Sequence, residues 1–212
     1  MKKNIKKKEF WHDIAIDKSW DVLMRLVKEH NVIVIGGWAC YLLTKNIKSK
    51  DIDIIIDFNE LQKIREKYNL KKNDILKKYE IIVDGISVDI YLPFYSEFSI
   101  PVNFIQKNTI CVEGIRIPKP EILLILKQQA EIQRSESIKG QKDRIDILNL
   151  LINTNINFKL YYKLIKKYNL LNFHERLKEI ISQSKDEFNY LIDNPRKIKL
   201  QKKTLLKKIS LK

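Results

Sequence analysis

The sequence predicts an α+β fold, in which a small mixed β-sheet is followed by an all-helical C-terminal region. Short β-branched runs alternate with turns and helices up to about residue 118, and only helical periodicity follows from residue 120 onward. Hydrophobic residues make up 44% of the 212-residue chain, which is enough for a packed core. We therefore predict an α/β domain at residues 1–118 and a helical domain with a basic tail at residues 119–212.

The first elements alternate between helix and strand. Apolar side chains recur at helical spacing before a β-branched run, VIVI, and Gly36-Gly37 ends that run. A second run, DIDIIID, predicts a second strand, and Asp57 at its end is predicted to be a capping or loop acid. In chain order the predictions are a helix at 9–30, a strand at 32–35, a helix at 38–45, a strand at 51–57 and a helix at 59–70.

Two hairpins and a series of helices complete the prediction. The Asp84-Gly85 pair between KYEIIVD and ISVDIYL predicts a hairpin, because Asp-Gly between alternating apolar runs is a strong turn signal. A second hairpin is predicted to turn at Glu113-Gly114, and Pro120 stands where a helix N-terminus favours proline. The helices predicted after it are 120–133, 141–153, 157–168, 172–194 and a basic amphipathic end.

The charge is concentrated at the two ends of the chain. The chain has a net charge of +15. Residues 1–8 contain five lysines and residues 196–212 contain eight basic residues, and neither segment contains an acid. Basic tails around a nearly neutral body are typical of attachment to a polyanion such as nucleic acid. A lysine-rich style set by an AT-biased genome or a thermophilic source is the alternative explanation.

Cysteine usage and hydropathy indicate the compartment. Cys40 and Cys111 lie in apolar runs and are predicted to be reduced core residues. No apolar run approaches the ~18 residues that span a bilayer, and no apolar signal core follows the basic N-terminus. We expect a cytoplasmic protein that does not contact membranes.

A strand, two glycines, a helix and an Asp-x-Asp pair form the part of the sequence that carries chemistry. Gly36-Gly37 allows close approach of the backbone to a ligand, and the start of the helix at Trp38 offers free N–H groups to phosphate. Asp51 and Asp53 are two apart on a strand, so both carboxylates leave the same face. Two carboxylates beside a phosphate cradle predict a Mg²⁺ site for phosphoryl or nucleotidyl transfer.

Asp89 is the predicted third carboxylate of this site. It interrupts the apolar strand ISVDIYL, where an uncompensated charge would be costly. If that strand lies beside the strand of Asp51 and Asp53, the three acids form a site for two Mg²⁺ ions. Asp89 would then activate the attacking hydroxyl.

Together these residues resemble the nucleotidyltransferase superfamily that includes DNA polymerase β, and most resemble its AbiEii-type toxin-like enzymes. The run from Ser49 to Asp53 resembles the Thr-x-Asp-x-Asp of that family. The family often has an arginine four residues before the first Asp, where this chain has Ile47.

The resemblance covers about residues 30–152. The segment IRIPKPEILLILKQQA resembles the entry into the first C-terminal helix of these enzymes, with Lys127 in the place of a lysine that faces the triphosphate. The segment KGQKDRIDILNLL resembles their next helix, with Lys142, Asp143 and Asp146 at recurring charged positions.

The resemblance implies transfer of a nucleoside monophosphate from an NTP to a hydroxyl. Together with the basic tails it favours an RNA acceptor, for which a tRNA 3′ end is one candidate, and it implies an antitoxin-like partner protein. Metal binding and catalysis fall to Asp51, Asp53 and Asp89. Nucleotide binding falls to Gly36, Gly37, Trp38, Ser49, Lys127, Lys142 and Asp146.

Several alternatives stay open at this point. The Gly-Gly-Trp-Ala run also resembles small antibiotic nucleotidyltransferases, whose acceptor is a drug hydroxyl. A non-catalytic protein that binds nucleic acid or a partner on the same fold is the other alternative. Trp38 could be a core residue instead of a base-stacking one, and Asp143 and Asp146 could belong to a surface salt-bridge face.

Overall fold

A computed structural model describes residues 13–210 of the chain, so the basic segment 1–8 lies outside the described residues. Seventeen elements occupy the described part. In chain order they are α1 (Asp13–Glu29), β1 (Ile33–Ile35), α2 (Gly36–Thr44), β2 (Ile52–Ile55), α3 (Phe58–Lys67), β3 (Lys71–Asn73), β4 (Lys78–Val83), β5 (Ile86–Tyr91), α4 (Val102–Lys107), β6 (Thr109–Val112), β7 (Ile115–Pro118), α5 (Pro120–Gln133), α6 (Ile138–Asn153), α7 (Phe158–Lys167), α8 (Leu171–Gln183), α9 (Asp186–Asn189) and α10 (Pro195–Ser210).

The main sheet has five strands in the order β1-β2-β5-β4-β3. Strands β2 and β5 run parallel, while the other neighbouring pairs are antiparallel, so the sheet is mixed as predicted. The hairpin β6-β7 forms a second small sheet and packs beside β1. The parallel contact of β2 with β5 places the two aspartate-bearing strands side by side at the centre.

Local sequence signals explain where most elements begin. Asp57 is the N-cap of α3 and accepts a hydrogen bond from the Glu60 N–H at 2.8 Å, which confirms its capping role. Pro120 opens α5 as predicted. Ser137 caps α6 by accepting from the Gly140 N–H, so α6 begins three residues before its predicted start.

Four predictions of local structure were wrong or incomplete. The short edge strand β3 and the one-and-a-half-turn helix α4 were not predicted. The helix predicted at 172–194 is divided, because Ser184 adopts an extended conformation and ends α8. Cys111 is exposed, since it lies on the outer side of the small hairpin opposite Arg116, and only Cys40 is buried.

One hydrophobic core runs through both halves of the chain. Helix α2 packs on β1 and β2 on one side and on α5 and α6 on the other. Trp38 is fully buried within it, contacts Trp20 with ring centroids 5.0 Å apart, and donates to the Ser19 hydroxyl. Within residues 13–210, no helix combines the length and apolarity that crossing a bilayer requires.

Candidate active site

A cleft of about 450 Å³ opens between the main sheet and the helices α5 and α6. Its volume is in the range of small-ligand sites. Six acidic and six basic side chains line it, so its charge is balanced. They are Asp51, Asp53, Asp89, Glu97, Asp143 and Asp146, with Lys77, Lys78, Lys127, Arg134, Lys139 and Lys142.

A row of carboxylates crosses the sheet at the floor of the cleft. Asp53 of β2 is the register partner of Asp89 of β5, and Asp89 is opposite Glu80 of β4. Directly opposed residues on neighbouring strands project from the same face of a sheet. The sheet therefore brings Asp53 and Asp89 together, as the sequence predicted, and adds Glu80 beside them.

Burial and mutual repulsion disfavour the charged forms of these acids. Burial, followed by the nearby charge of Asp89, raises the pKa of Asp53 to about 6. Burial also raises the pKa of Asp89, although Lys78 partly offsets the effect. Tyr91 lies two residues further along β5, and burial together with Asp53 raises the pKa of its phenol. A cation placed between Asp53 and Asp89 would relieve this repulsion.

Two lysines that the sequence interpretation missed are paired with acids of the cleft. The Lys78 ammonium lies 2.7 Å from Asp89 and 3.0 Å from Glu80. Although burial opposes its charge, these two carboxylates raise the pKa of Lys78. Lys139, at the start of α6, lies 3.4 Å from the Asp51 carboxylate. Strict alternation across the Asp84-Gly85 hairpin could have placed Lys78 on the same face as the acids.

The two glycines make room for the Asp-x-Asp segment itself. Gly36 has a φ of +65°, and a Cβ there would lie 2.1 Å from an Asp53 carboxylate oxygen. A Cβ on Gly37 would lie 2.6 Å from the Ser49 hydroxyl, which donates to the Asp51 carbonyl. Asp53 and Ser49 therefore approach the two glycines closely, and both glycines also line the cleft in which the sequence predicted a ligand.

The start of α2 supplies hydrogen-bond donors at the edge of the cleft. Its N-cap residue, Ile35, makes no side-chain cap, and no acid occupies the first turn. The first N–H groups of a helix have no intrahelical partners, and the helix dipole favours an anion there. This end of α2 is suited to a phosphate group.

The charged residues on the helical side form a buried network. The Lys127 ammonium lies 2.8 Å from Asp146 and 3.1 Å from Asp143, and Lys142 lies 2.5 Å from Asp146. Arg134 binds Asp143 from the cleft side at 2.7 Å. Asp143 and Asp146 are 1% and 0% exposed, so they do not form a surface salt-bridge face. The charge of Lys127 is thus already compensated by two acids.

The side chain of Trp38 lies in the core and not in the cleft. Its ring packs edge-on to Tyr41 and against Trp20, and it does not line the cavity. The prediction that Trp38 binds the nucleotide is therefore wrong for its side chain, because a fully buried indole cannot stack on a base. Its backbone remains in the first turn of α2.

The donors at the floor of the cleft are of the kind that Mg²⁺ prefers. Carboxylate oxygens are hard ligands, and Asp53 and Asp89 adjoin in a site where negative charge is disfavoured. Within residues 13–210, no three His, Cys, Asp or Glu side chains form a preformed ligand set. Asp51 is paired with Lys139, and its charge also contributes to the raised pKa of both Asp53 and Asp89.

Solved structures share this architecture at low sequence identity. A candidate nucleotidyltransferase from Helicobacter pylori superposes with a TM-score of 0.51 at 15% identity, and the match covers 94% of this chain and 98% of that one. JHP933 from Helicobacter pylori superposes with a TM-score of 0.50 at 16% identity, covering 94% of each chain. The chain has a nucleotidyltransferase-like fold.

A more distant likeness involves an antigenic nucleotidyltransferase-like protein from Paracoccidioides brasiliensis. Its TM-score is 0.43 at 16% identity, and the match covers 79% of this chain and 92% of that one. No protein-family model and no curated protein matches the sequence. The likeness to the two Helicobacter pylori structures shows the fold of the chain.

Proposed function

We propose that the chain is a Mg²⁺-dependent nucleotidyltransferase that moves a nucleoside monophosphate from an NTP to a hydroxyl acceptor. The observation that carries this proposal is the pairing of Asp53 with Asp89 beside the uncapped start of α2. Carboxylates for a divalent cation and donors for phosphate then lie in one cleft.

Each part of the cleft has a role in this reaction. Asp53 and Asp89 would hold Mg²⁺, and Asp51 would join them once Lys139 turned to the phosphates. Bound Mg²⁺ supplies Lewis-acid polarisation of the phosphate oxygens. The first N–H groups of α2, with Arg134 and Lys139 opposite, orient the triphosphate. The apolar side chains of the cleft, Tyr91, Phe98, Leu123, Leu126 and Ala130, cover the nucleoside.

The transfer step breaks the phosphoanhydride bond between the α- and β-phosphates and forms a phosphate ester bond to the acceptor. The acceptor oxygen attacks the α-phosphorus, and the bond from that phosphorus to the oxygen of pyrophosphate breaks. Asp89 accepts the proton of the attacking hydroxyl, a role supported by its place at the floor of the cleft. Pyrophosphate is the leaving group, and the basic side chains of the cleft balance its negative charge.

RNA is the acceptor class that the charge distribution supports. The lining of the cleft is charge-balanced, so the net charge of +15 lies on other surfaces. An excess of lysine outside a catalytic cleft attracts a polyanion larger than the cleft. A tRNA 3′ end is one acceptor of this kind.

The proposal is tested by incubating the full chain with each α-³²P-labelled NTP, Mg²⁺ and one acceptor at a time. The acceptors are total RNA, purified tRNA and an aminoglycoside. We expect label in RNA from at least one NTP, and loss of at least ~100-fold of it in Asp53→Asn and Asp89→Asn. Asp193→Asn, which removes an exposed acid outside the cleft, is the matched control and should keep full activity.

Two results would overturn parts of the proposal. Label that appears only in the aminoglycoside would replace RNA by a small-molecule acceptor. Absence of transfer to every acceptor, by a chain that is folded and binds NTP, would favour a non-catalytic binding protein on this fold.

A further inference from the structure

Helices α7 and α10 carry exposed lysines, and neither helix contains an acidic residue. No acidic residue occurs between residues 151 and 174 or between 194 and 212. Only the second of these segments lies in a basic tail, and the first lies inside the nearly neutral body. The excess of positive charge on the helical half is therefore wider than the tail.

Three lysines of each helix are aligned on one face. Lys159, Lys163 and Lys166 of α7 are spaced i, i+4 and i+7, and Lys199, Lys203 and Lys207 of α10 are spaced i, i+4 and i+8. All six side chains belong to exposed residues. None of them forms an ion pair with another residue of the described part of the chain.

The two helices adjoin although about 40 residues separate them in sequence. The Tyr162 hydroxyl of α7 donates a hydrogen bond to the Ile209 carbonyl in the last turn of α10. Both helices also pack on α8. Burial, followed by the nearby charge of Lys185 in the turn after α8, lowers the pKa of Lys202, and Glu187 partly offsets the effect.

Most apolar side chains of both helices are covered, and Leu200 of α10, which is 67% exposed, is the exception. Tyr161, Leu164 and Ile165 of α7 are buried, as are Leu205 and Ile209 of α10. A helix that binds a membrane surface inserts its apolar face among the lipids. These helices present rows of cations instead, which fits a ligand with regularly spaced negative charges.

We infer that the six lysines, which we call the α7–α10 surface, bind the sugar–phosphate backbone of an RNA acceptor. This inference rests on the proposed function for the choice of RNA, but the binding itself does not require catalysis. Such contacts hold phosphates without reading bases, so affinity depends on charge and salt and not on sequence.

The test measures binding of a fluorescently labelled, mixed-sequence single-stranded RNA by anisotropy at several salt concentrations. The variants are a triple Lys→Gln change on α7 (Lys159, Lys163, Lys166) and one on α10 (Lys199, Lys203, Lys207). The matched control removes three exposed lysines elsewhere (Lys18, Lys28, Lys107). Every variant keeps residues 1–8, so their contribution cancels.

We expect each surface triple to weaken binding and to flatten the plot of log affinity against log salt by about 2, since each single-strand phosphate contact contributes about 0.7 to the slope. The control triple should change the slope far less. Equal losses from the control would overturn the inference, because net charge alone would then explain binding. Binding to phosphatidylserine vesicles that is stronger than binding to RNA, and lost in the same triples, would also overturn it in favour of a membrane.

The failure of this inference can be separated from failure of the proposed function. Asp53→Asn should bind the RNA as tightly as the unchanged chain, because the substitution lies in the cleft. RNA binding through the surface with no transfer of label would leave the surface in place and remove the proposed reaction. If label is transferred to RNA but the surface triples leave RNA binding unchanged, the proposed reaction stands and the inferred surface is removed.

Discussion

Asp53 is buried beside the like-charged Asp89 and lies against Gly36. Its protonation should therefore change the free energy of unfolding by a measurable amount. Its pKa is raised from 3.8 to about 6, so the folded chain binds more protons than the unfolded chain between these values. Stability contributed by this group is therefore full below pH 3.8 and falls until about pH 6. We expect Asp53→Asn to raise the free energy of unfolding by on the order of 2–3 kcal/mol at pH 7.5, since one pKa unit corresponds to about 1.4 kcal/mol, and to change it little at pH 4. Thermal unfolding with EDTA at both pH values measures this, and a destabilised variant at pH 7.5 would contradict it.

Gly36 offers a second prediction at the scale of one residue, because Gly114 provides a matched control. Both glycines have a positive φ, but a Cβ at Gly36 would meet Asp53 at 2.1 Å, whereas nothing lies within 4 Å of one at Gly114. Gly114→Ala should cost about 1–2 kcal/mol for the left-handed conformation. Gly36→Ala should cost at least ~2 kcal/mol more and should also reduce NTP affinity, because Asp53 has to move. Equal losses in denaturant unfolding of the two variants would show that Gly36 has only a backbone role.

At the scale of elements, α5 and α6 are joined by the network of Lys127, Lys142, Asp143 and Asp146. Removing one member of a buried ion pair leaves an uncompensated charge, which costs about 3–5 kcal/mol. Asp146→Leu leaves both Lys127 and Lys142 short of a partner, so we expect a loss in that range. Glu179→Gln, which removes an exposed partner of Arg176, should cost less than about 1 kcal/mol. Urea unfolding measures the loss of stability in both variants. A loss below ~1 kcal/mol for Asp146→Leu would mean that the network does not hold α5 and α6 together.

The elements also show how far the sequence predicted the fold and the site. Turn and cap signals are local, so the Asp84-Gly85 hairpin, the Asp57 cap and the start of α5 could be predicted from adjacent residues. The edge strand β3 consists of Lys-Lys-Asn, which lacks both apolar alternation and β-branching, and only pairing with β4 makes it a strand.

The same distinction applies to the cleft. Asp53 and Asp89 could be brought together by assuming that their strands are neighbours, and the sheet order bears that assumption out. The partners of Lys127 and Asp51 depend on how α5 and α6 pack against the sheet. No local pattern contains that information, so the burial of Asp146 and the contact of Lys139 with Asp51 required the structure.

At the scale of the whole molecule, the cleft is formed jointly by the sheet and by α5 and α6, so a ligand in it should stabilise both halves together. Binding to the folded chain alone adds about 2.7 kcal/mol when the ligand concentration is about 100 times Kd. For a chain of this size that corresponds to a rise in Tm of roughly 5–10 °C. We expect NTP with Mg²⁺ to produce such a rise and NMP with Mg²⁺ to produce a much smaller one. The reason is that the start of α2, Arg134 and Lys139 act on the phosphates that NMP lacks.

Differential scanning fluorimetry at matched concentrations measures both shifts, with Mg²⁺ alone as the reference and Asp193→Asn as the control variant. Equal shifts from NTP and NMP would contradict the assignment of the triphosphate to this end of the cleft. Two separate unfolding transitions, of which NTP moved only one, would contradict a site shared by the two halves.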